Sequence, residues 1–237
     1  MTTVLESGLS ILPVTGLPEF TPGMDLARIV ADHVPAQHHD VIVITQKVIS
    51  KAEGRLRDID PNDPLSHKAV VEEESVRVLR RRGELIISET AHGFVCANAG
   101  VDLSNVERGQ AALLPINSDR SARRVCDVVR AYKGVEVGVI ISDTFGRPWR
   151  RGVTDVAIGS AGVRPILDLR GTHDAYGREL QVTEVALVDE LAAAAELVMG
   201  KSTGIAAAII RGGPATWFGS GSVEKDLVRN PQEDLFR

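Results

Sequence analysis

Two aspartates, Asp102 and Asp143, are the residues of this sequence best placed for chemistry. Asp143 ends the apolar segment "VEVGVIISD" just before Thr144, and Asp102 ends "GFVCANAGVD" shortly before Asn105. A carboxylate at the end of an apolar strand is poorly solvated unless it is paired or binds a cation. Two such carboxylates suit a hard divalent cation, which prefers oxygen ligands and often shares them with substrate phosphates. The alternative is that each aspartate caps a turn or a helix, and the sequence leaves both interpretations open.

Cationic side chains near these aspartates suggest an anionic substrate. Lys51 follows the apolar segment "DVIVIT", where it could hold a phosphate or simply lie at the surface. Arg147, Arg150 and Arg151 follow Asp143 and suit carboxylate or phosphate groups, although ion pairs with neighbouring acids are equally compatible. The segment "MGKST" lacks the upstream glycine and the strand-loop-helix order of a P-loop. The sequence therefore predicts metal and anion sites at strand ends, without a substrate.

A sheet is needed to bring these strand ends together. We predict a short first strand in "SILPV", strands at 40–45, 83–90, 93–102, 110–116, 135–143 and 204–212, a loop at 53–64, and helices at 24–34, 66–82, 119–132 and 184–200. The basic run "RVLRRR" is assigned to the helix at 66–82, and "TDVAIGSAG" is predicted to pack closely or to turn. Strict strand-helix alternation is missing, so we predict an α/β protein of the α+β type, with a mixed, largely antiparallel sheet and flanking helices.

The composition excludes several classes of protein. With 237 residues and no repeat or low-complexity linker, we predict a single domain over residues 1–237. A formal net charge of −5 and one dense basic run argue against nucleic-acid binding. No apolar stretch reaches the ~18–20 residues of a membrane span, and no leader precedes the first strand, so we expect a cytoplasmic protein. Cys96 and Cys126 lie far apart in apolar segments and are expected to be buried thiols.

Several segments occur in an order that is specific to one family. They are "LPVTGLPEFTPGMDL", "VITQKVISKAEGR", "AGVDLSNV", "ISDTFGRPWRRGVTDVAIGSAG", "VTEVALVDELAAAAELVMGK" and the terminal "EDLFR". Together they span nearly the whole chain and resemble the coenzyme F420:γ-glutamyl ligase family. The resemblance implies that L-glutamate is attached to the deazaflavin precursor F420-0, and further γ-linked glutamates to F420-1, with hydrolysis of GTP. It also implies two divalent ions (Mg²⁺ or Mn²⁺), K⁺, a homodimer and a fold unlike that of ATP-grasp ligases.

The resemblance also assigns roles to individual residues. The implied GTP contacts are Leu17, Pro18, Glu19, Phe20, Gln46, Lys51 and Asn105, and the implied metal ligands are Asp102, Asp143, Thr144 and Glu184. Gln46 departs from the family, which often has Ser or Thr there. We assign the catalytic chemistry to Lys51 and Asp143, with an acyl phosphate as the intermediate, and regard the Gly200-Lys201 turn as a further nucleotide contact. Some relatives carry a second, FMN-binding nitroreductase-like domain, which we do not expect here because the sequence stops at Arg237.

Two other functions remain open at this point. One is a non-catalytic regulator that binds a nucleotide or a metal on the same scaffold, and the other is an amide ligase with a different acceptor. Binding of GTP and Mn²⁺ without addition of glutamate would distinguish the regulator from the ligase.

Overall fold

A five-stranded sheet forms the centre of the protein, for which a computed structural model describes residues 8–235. The strands in chain order are β1 (Ser10–Val14), β2 (Asp40–Thr45), β3 (Leu56–Asp58), β4 (Ser75–Arg82), β5 (Leu85–Thr90), β6 (Val95–Ala97), β7 (Gln110–Ala112), β8 (Val137–Arg147), β9 (Arg150–Ala161), β10 (Leu167–Asp168), β11 (Glu184–Val185) and β12 (Ala207–Arg211). The helices are α1 (Leu26–His33), α2 (Gln46–Ala52), α3 (His67–Glu74), α4 (Ser118–Lys133) and α5 (Leu187–Met199), with short helical turns at Asn98–Gly100, Ala215–Trp217 and Val223–Leu227.

The central sheet has the strand order β1-β12-β2-β8-β9. Within it β2 and β8 run parallel, whereas the other neighbouring pairs are antiparallel. Three smaller sheets, β4-β5-β6, β3-β7 and β10-β11, lie beside it. The predicted fold class, a mixed and largely antiparallel sheet with flanking helices, is confirmed. The predicted single domain over residues 1–237 and the terminal "EDLFR" segment extend beyond the described residues.

The neighbouring strands β2 and β8 form because their sequences are rich in β-branched residues. Ile42 and Ile44 of β2 and Ile140 and Ile141 of β8 are completely buried. Such runs are typical of strands that are covered on both faces. Each of these side chains contributes about 1.5–3 kcal/mol by leaving water, so the pairing of β2 with β8 is fixed by the core.

Helix α4 shows how closely the helices approach the sheet. It begins after Asn117, whose Oδ1 accepts a hydrogen bond from the backbone N–H of Arg120 at 2.7 Å, and it ends at Gly134, whose φ is 69°. A Cβ on Gly159 of β9 would lie 2.3 Å from the backbone carbon of Ser118. The stretch "TDVAIGSAG" is therefore a strand with small residues where the helix touches it, which confirms close packing.

The predicted helix at 66–82 was wrong in its second half. The helix ends at Glu74, and residues 75–82 form β4, which pairs antiparallel with β5. Arginine and leucine favour helices locally, but in this segment the hydrogen-bonded pairing with β5 outweighs that preference and stabilises a strand. An ion pair of 3.2 Å between Arg77 and Glu89 supports the pairing. The run "RVLRRR" thus lies on an edge strand, where charge discourages pairing with other chains.

Other boundaries also differ from the predictions. The predicted strand at 93–102 is shortened to β6, because Asn98 and Ala99 take positive φ values of 50° and 51° and turn the chain. The predicted loop at 53–64 contains β3, which pairs with β7. The helix predicted at 184–200 begins at Leu187. Within residues 8–235, no helix is both long and apolar enough to cross a bilayer.

Candidate active site

A cavity of about 610 Å³ opens at the end of β2, beside the part of β8 that continues past it. The two strands are parallel and Thr45 is in register with Ser142, so α2 leaves the sheet next to Asp143 and Thr144, which lie within β8 and not at its end as predicted. Open α/β sheets bind ligands at such carboxyl ends. The cavity is lined by residues 17–22, Thr45, Lys47, Val48, Lys51, Leu56, 105–107, Gln110, Thr144, Glu196, 199–201 and 204–206.

Most of the predicted nucleotide contacts share this cavity. Leu17, Pro18, Glu19, Phe20, Lys51 and Asn105 all line it. Lys51 lies on α2 and forms an ion pair with Glu19, and its side chain is 14% exposed whereas that of Glu19 is 76% exposed. The ammonium group is therefore held at the cavity wall by a carboxylate that remains in contact with solvent.

Gln46 is placed differently from the other predicted contacts. It is fully buried and does not line the cavity. Its Oε1 accepts a hydrogen bond of 2.7 Å from the hydroxyl of Ser50, and within residues 8–235 its Nε2 has no hydrogen-bond partner. Its assignment as a GTP contact stays a prediction.

Lys47 connects Asp102 to the cavity. Its Nζ lies 2.6 Å from Oδ2 of Asp102, and Lys47 itself lines the cavity. Burial alone would raise the pKa of Asp102, but the hydrogen bond and charge of Lys47 reverse this effect and hold the pKa below its ordinary value. The other oxygen of Asp102 accepts the backbone N–H of Ser104 at 2.7 Å, so the turn-capping interpretation also holds for this residue.

Asp143 is a buried carboxyl group whose ionised form is disfavoured by its surroundings. Burial raises its pKa to about 7, with the nearby charges of Asp102 and Asp155 adding to this effect. The backbone N–H of Thr144 at 2.8 Å and the charge of Lys47 act in the opposite direction. A strongly perturbed carboxyl beside a cavity is typical of a functional group.

The donor set around these aspartates suits a hard cation that shares its ligands with a substrate. Within residues 8–235, no group of three or more histidine, cysteine, aspartate or glutamate side chains is arranged to hold a metal ion unaided. The charge of Asp102 is close enough to raise the pKa of Asp143, and the hydroxyl of Thr144 follows directly in the chain. Oxygen ligands of this kind fit Mg²⁺ or Mn²⁺, whose coordination shell is commonly completed by phosphates and water. A cation would also relieve the cost of the buried Asp143 charge.

A cluster around Asp155 was missed by the sequence analysis. Asp155 is 3% exposed and accepts hydrogen bonds from the hydroxyls of Ser142 at 3.1 Å and Thr144 at 2.7 Å. The ammonium of Lys201 donates to Asp155 at 2.7 Å and to Thr144 at 2.5 Å, and it pairs with Glu196 at 2.8 Å. Asp155 is the register partner of Thr144 across the β8–β9 hairpin, so recognising "TDVAIGSAG" as the returning strand would have revealed it.

Glu184 and the three arginines lie apart from the cavity lining. Glu184 belongs to the β10–β11 pair, where Arg170 contacts it at 3.1 Å. Arg147 and Arg150 face each other at the exposed tip of the β8–β9 hairpin, next to Arg151. The metal-ligand assignment of Glu184 stays a prediction, and the arginines are placed for contacts outside the cavity wall.

Comparison with known proteins gives consistent matches over most of the chain. A family model described as F420-0:Gamma-glutamyl ligase matches residues 16–212, which include every residue that lines the cavity. The chain is 42% identical to the coenzyme F420:L-glutamate ligase of Methanothermobacter thermautotrophicus, with 97% of this chain and 99% of that protein covered. It is 43% identical to the protein of the same name from Methanopyrus kandleri, covering 97% and 98%, and 41% identical to that from Methanocaldococcus jannaschii, covering 93% and 94%.

Proposed function

The chain belongs to the F420-0:gamma-glutamyl ligase family, and from this premise we propose that it is a GTP-dependent ligase that joins L-glutamate to F420-0 and then adds further γ-linked glutamates to F420-1. The family membership confirms the resemblance seen in the sequence and makes the protein a ligase of coenzyme F420 biosynthesis. GTP as the energy source, the divalent ions, K⁺ and a homodimer are parts of the proposal. The observation that carries it is that six of the seven predicted GTP contacts line one cavity, which also contains Thr144.

The cavity has the size and the charges that a nucleoside triphosphate requires. Its volume of about 610 Å³ is within the usual range of about 300–1,000 Å³ for small-molecule sites. Leu17 and Pro18 contribute apolar surface on one part of the wall, whereas Lys47, Lys51 and Lys201 contribute ammonium groups. Lysine binds phosphate as a compact point charge, so the triphosphate would lie along these three cations.

The reaction must make a carboxylate reactive towards an amine. We propose that an oxygen of the acceptor carboxylate attacks the γ-phosphorus of GTP and that the bond to the β-phosphate oxygen breaks, which yields an acyl phosphate and GDP. The amine of glutamate then attacks the acyl carbon, phosphate leaves with the bonding electron pair, and the amine loses its proton. Such chemistry depends on positioning and charge stabilisation, and no protein nucleophile is needed.

Each residue of the site has a defined task in this scheme. Lys51 and Lys201 hold phosphate oxygens, and Asp155 fixes the hydroxyl of Thr144 and the ammonium of Lys201. Asp102, Asp143 and Thr144 would hold the divalent ions, which, when bound, neutralise charge that develops on phosphate oxygens. Asp143 would act as a ligand in its ionised form, which a neighbouring cation favours.

The proposal is tested with the purified protein, GTP, Mn²⁺, L-glutamate and F420-0. We expect release of GDP that depends on F420-0, together with a product that is heavier by one glutamate residue for each cycle. Release of GDP without a gain in product mass, or binding of GTP without turnover, would refute the ligase function. Sedimentation of the protein at micromolar concentration tests the proposed homodimer separately.

Lys51→Ala tests the nucleotide site within the same assay. A hydrogen bond to a charged group contributes about 1.5–3 kcal/mol, so the KM for GTP is expected to rise about 10- to 150-fold. Lys133→Ala is a matched control, because Lys133 ends α4 next to Tyr132 and does not line the cavity. Equal KM values for the two variants would remove Lys51 from the nucleotide site.

A further inference from the structure

A second cavity lies beside the same hairpin. It has a volume of about 270 Å³ and its walls include Phe94, Phe145, Val156, Asp189, Leu227 and Arg229. None of these residues was singled out by the sequence analysis, and none lines the first cavity. The cavity lies next to the part of β8 that carries Asp143 and Thr144, because Phe145 lines it.

The strand β8 presents its two key residues to opposite sides. Consecutive side chains of a strand point to opposite faces. Thr144 points to the face on which it contacts Asp155 and Lys201, and that face carries the first cavity. Asp143 shares the other face with Phe145, and its register partner across the hairpin is Val156. Both Phe145 and Val156 line the second cavity, so Asp143 and Thr144 lie between the first cavity and the second cavity.

Aromatic rings form one wall of the second cavity. The rings of His92 and Phe94 are stacked with centroids 5.6 Å apart, and Phe94 meets Phe145 edge-on at 6.1 Å. Val156 and Leu227 add aliphatic surface. Walls of this type favour a flat, conjugated ring system, which gains about 0.5–1.5 kcal/mol from ring contacts beyond the burial of its area.

Asp189 supplies a polar group at the edge of this apolar space. Its Oδ1 accepts the backbone N–H of Ala157 at 2.9 Å. Burial raises the pKa of Asp189, and the hydrogen bond from Ala157 opposes this effect in part. Among residues 8–235, Ala157 is its one hydrogen-bond donor, which leaves the other oxygen available to a ligand. The cavity therefore suits a planar heteroaromatic ring that carries an N–H or O–H donor at its edge.

We propose that the second cavity binds the deazaflavin ring of the acceptor, with the carboxylate tail of the acceptor directed past Asp143. This proposal rests on the proposed function. In phosphoryl transfer the attacking and leaving oxygens lie roughly in line on opposite sides of the phosphorus. With GTP in the first cavity, the acceptor carboxylate must approach from the far side of the γ-phosphate, and the second cavity lies on the opposite face of the strand that carries Asp143 and Thr144.

Binding of F420-0 and of GTP, measured separately, tests this assignment. We expect Phe145→Leu to weaken F420-0 binding about 2- to 12-fold. Asp189→Asn, which keeps the acceptor for the Ala157 N–H, should weaken it by a similar factor through the altered donor and acceptor pattern. The Kd for GTP, from calorimetry, is expected to stay within about twofold in both variants because neither side chain lines the first cavity. In turnover the KM for F420-0 should rise while kcat stays nearly constant.

Tyr176→Leu is the matched control, since this aromatic side chain is 98% exposed and lies in the segment between β10 and β11. Unchanged F420-0 affinity in both cavity variants, in a wild-type protein that adds glutamate, would overturn the ring assignment and leave the ligase function intact. A parallel loss of GTP affinity would overturn it in favour of the nucleobase. If the wild-type protein neither binds F420-0 nor adds glutamate, the proposed function itself fails, and the ring assignment falls with it.

Discussion

Replacing Asp143 with asparagine should make the metal-free protein more stable at alkaline pH. Asp143 is 8% exposed, and burial raises its pKa from 3.8 to about 7. Between these two values the folded state keeps a proton that the unfolded chain releases. The free energy of unfolding of the wild-type protein therefore falls as the pH rises through this window, and the contribution becomes constant above pH 7.

The size of the effect follows from the width of the window. The interval from 3.8 to about 7 spans about 3 pH units, and at about 1.4 kcal/mol per unit this amounts to about 4 kcal/mol. The amide side chain of the D143N variant does not titrate, and its Oδ1 can still accept the backbone N–H of Thr144. An unpaired amide group costs about 1–3 kcal/mol at every pH. The decisive quantity is therefore the change, from pH 4 to pH 8, in the stability difference between D143N and wild type.

Urea unfolding in the presence of EDTA measures this difference across the pH range. We expect D143N to gain about 4 kcal/mol relative to wild type between pH 4 and pH 8. Saturating Mn²⁺ should then stabilise the wild type, by about 2.7 kcal/mol at 100 times the Kd, and stabilise D143N less, because only Asp102 and Thr144 of the proposed ligands remain. Asp127→Asn on the exposed face of α4 is the control. A stability difference that is the same at every pH would refute the desolvation of Asp143, and equal stabilisation of both proteins by Mn²⁺ would refute its function as a metal ligand.

Three further predictions concern packing, a buried ion pair and the hairpin cluster. Gly159→Ala would place a Cβ 2.3 Å from the backbone of Ser118 and should destabilise the protein by about 1–3 kcal/mol. A lower Tm would show this loss, and an unchanged Tm would contradict the close approach of α4 to β9. Arg211→Met removes the guanidinium that contacts the fully buried Asp40 at 2.8 Å, so urea unfolding should show a loss of about 3–5 kcal/mol. A loss below about 1 kcal/mol would mean that the backbone N–H of Gln37, which also donates to Asp40 at 2.8 Å, compensates the buried charge. Asp155→Asn should lower kcat for GDP release at least about 10-fold, because the hydroxyl of Thr144 and the ammonium of Lys201 lose their charged partner. The Tm and the KM for F420-0 should stay nearly unchanged, and a normal kcat would mean that the cluster has only a structural function.

The sequence predicts well those elements that are determined by their own composition. The strand at 40–45 has the predicted bounds because six consecutive residues suit a strand buried on both faces. Helix α4 is recognised from its apolar spacing, although it begins one residue earlier than predicted, with Asn117 as its N-cap. In contrast, Ser75–Arg82 has the composition of a helix but forms a strand because it pairs with β5. Local propensity cannot predict this pairing, since it depends on residues elsewhere in the chain.

The same division applies to the candidate site. The residues at 17–20, Lys51 and Asn105 lie in contiguous motifs and line one cavity, while their assignment as GTP contacts stays a prediction. Lys47 lies one helical turn before Lys51, so the periodicity of α2 alone places both ammonium groups on one face. Asp155 could not be placed without the β8–β9 register, and the second cavity depends on how the segment after β12 packs against the hairpin.

In the proposed site, the ion pair between Lys47 and Asp102 would make the affinities for phosphate and metal interdependent. A phosphate that binds Lys47 alone deprives Asp102 of its partner, and a cation that binds Asp102 alone does the same to Lys47. Either exchange leaves a partly buried charge uncompensated, which is costly. When both ligands bind together, the phosphate pairs with Lys47 and the cation pairs with Asp102, so that each charge keeps a partner. If the site binds a divalent ion and GTP as proposed, each ligand would raise the affinity for the other by the same factor, and the metal-nucleotide complex would be favoured over its separate components.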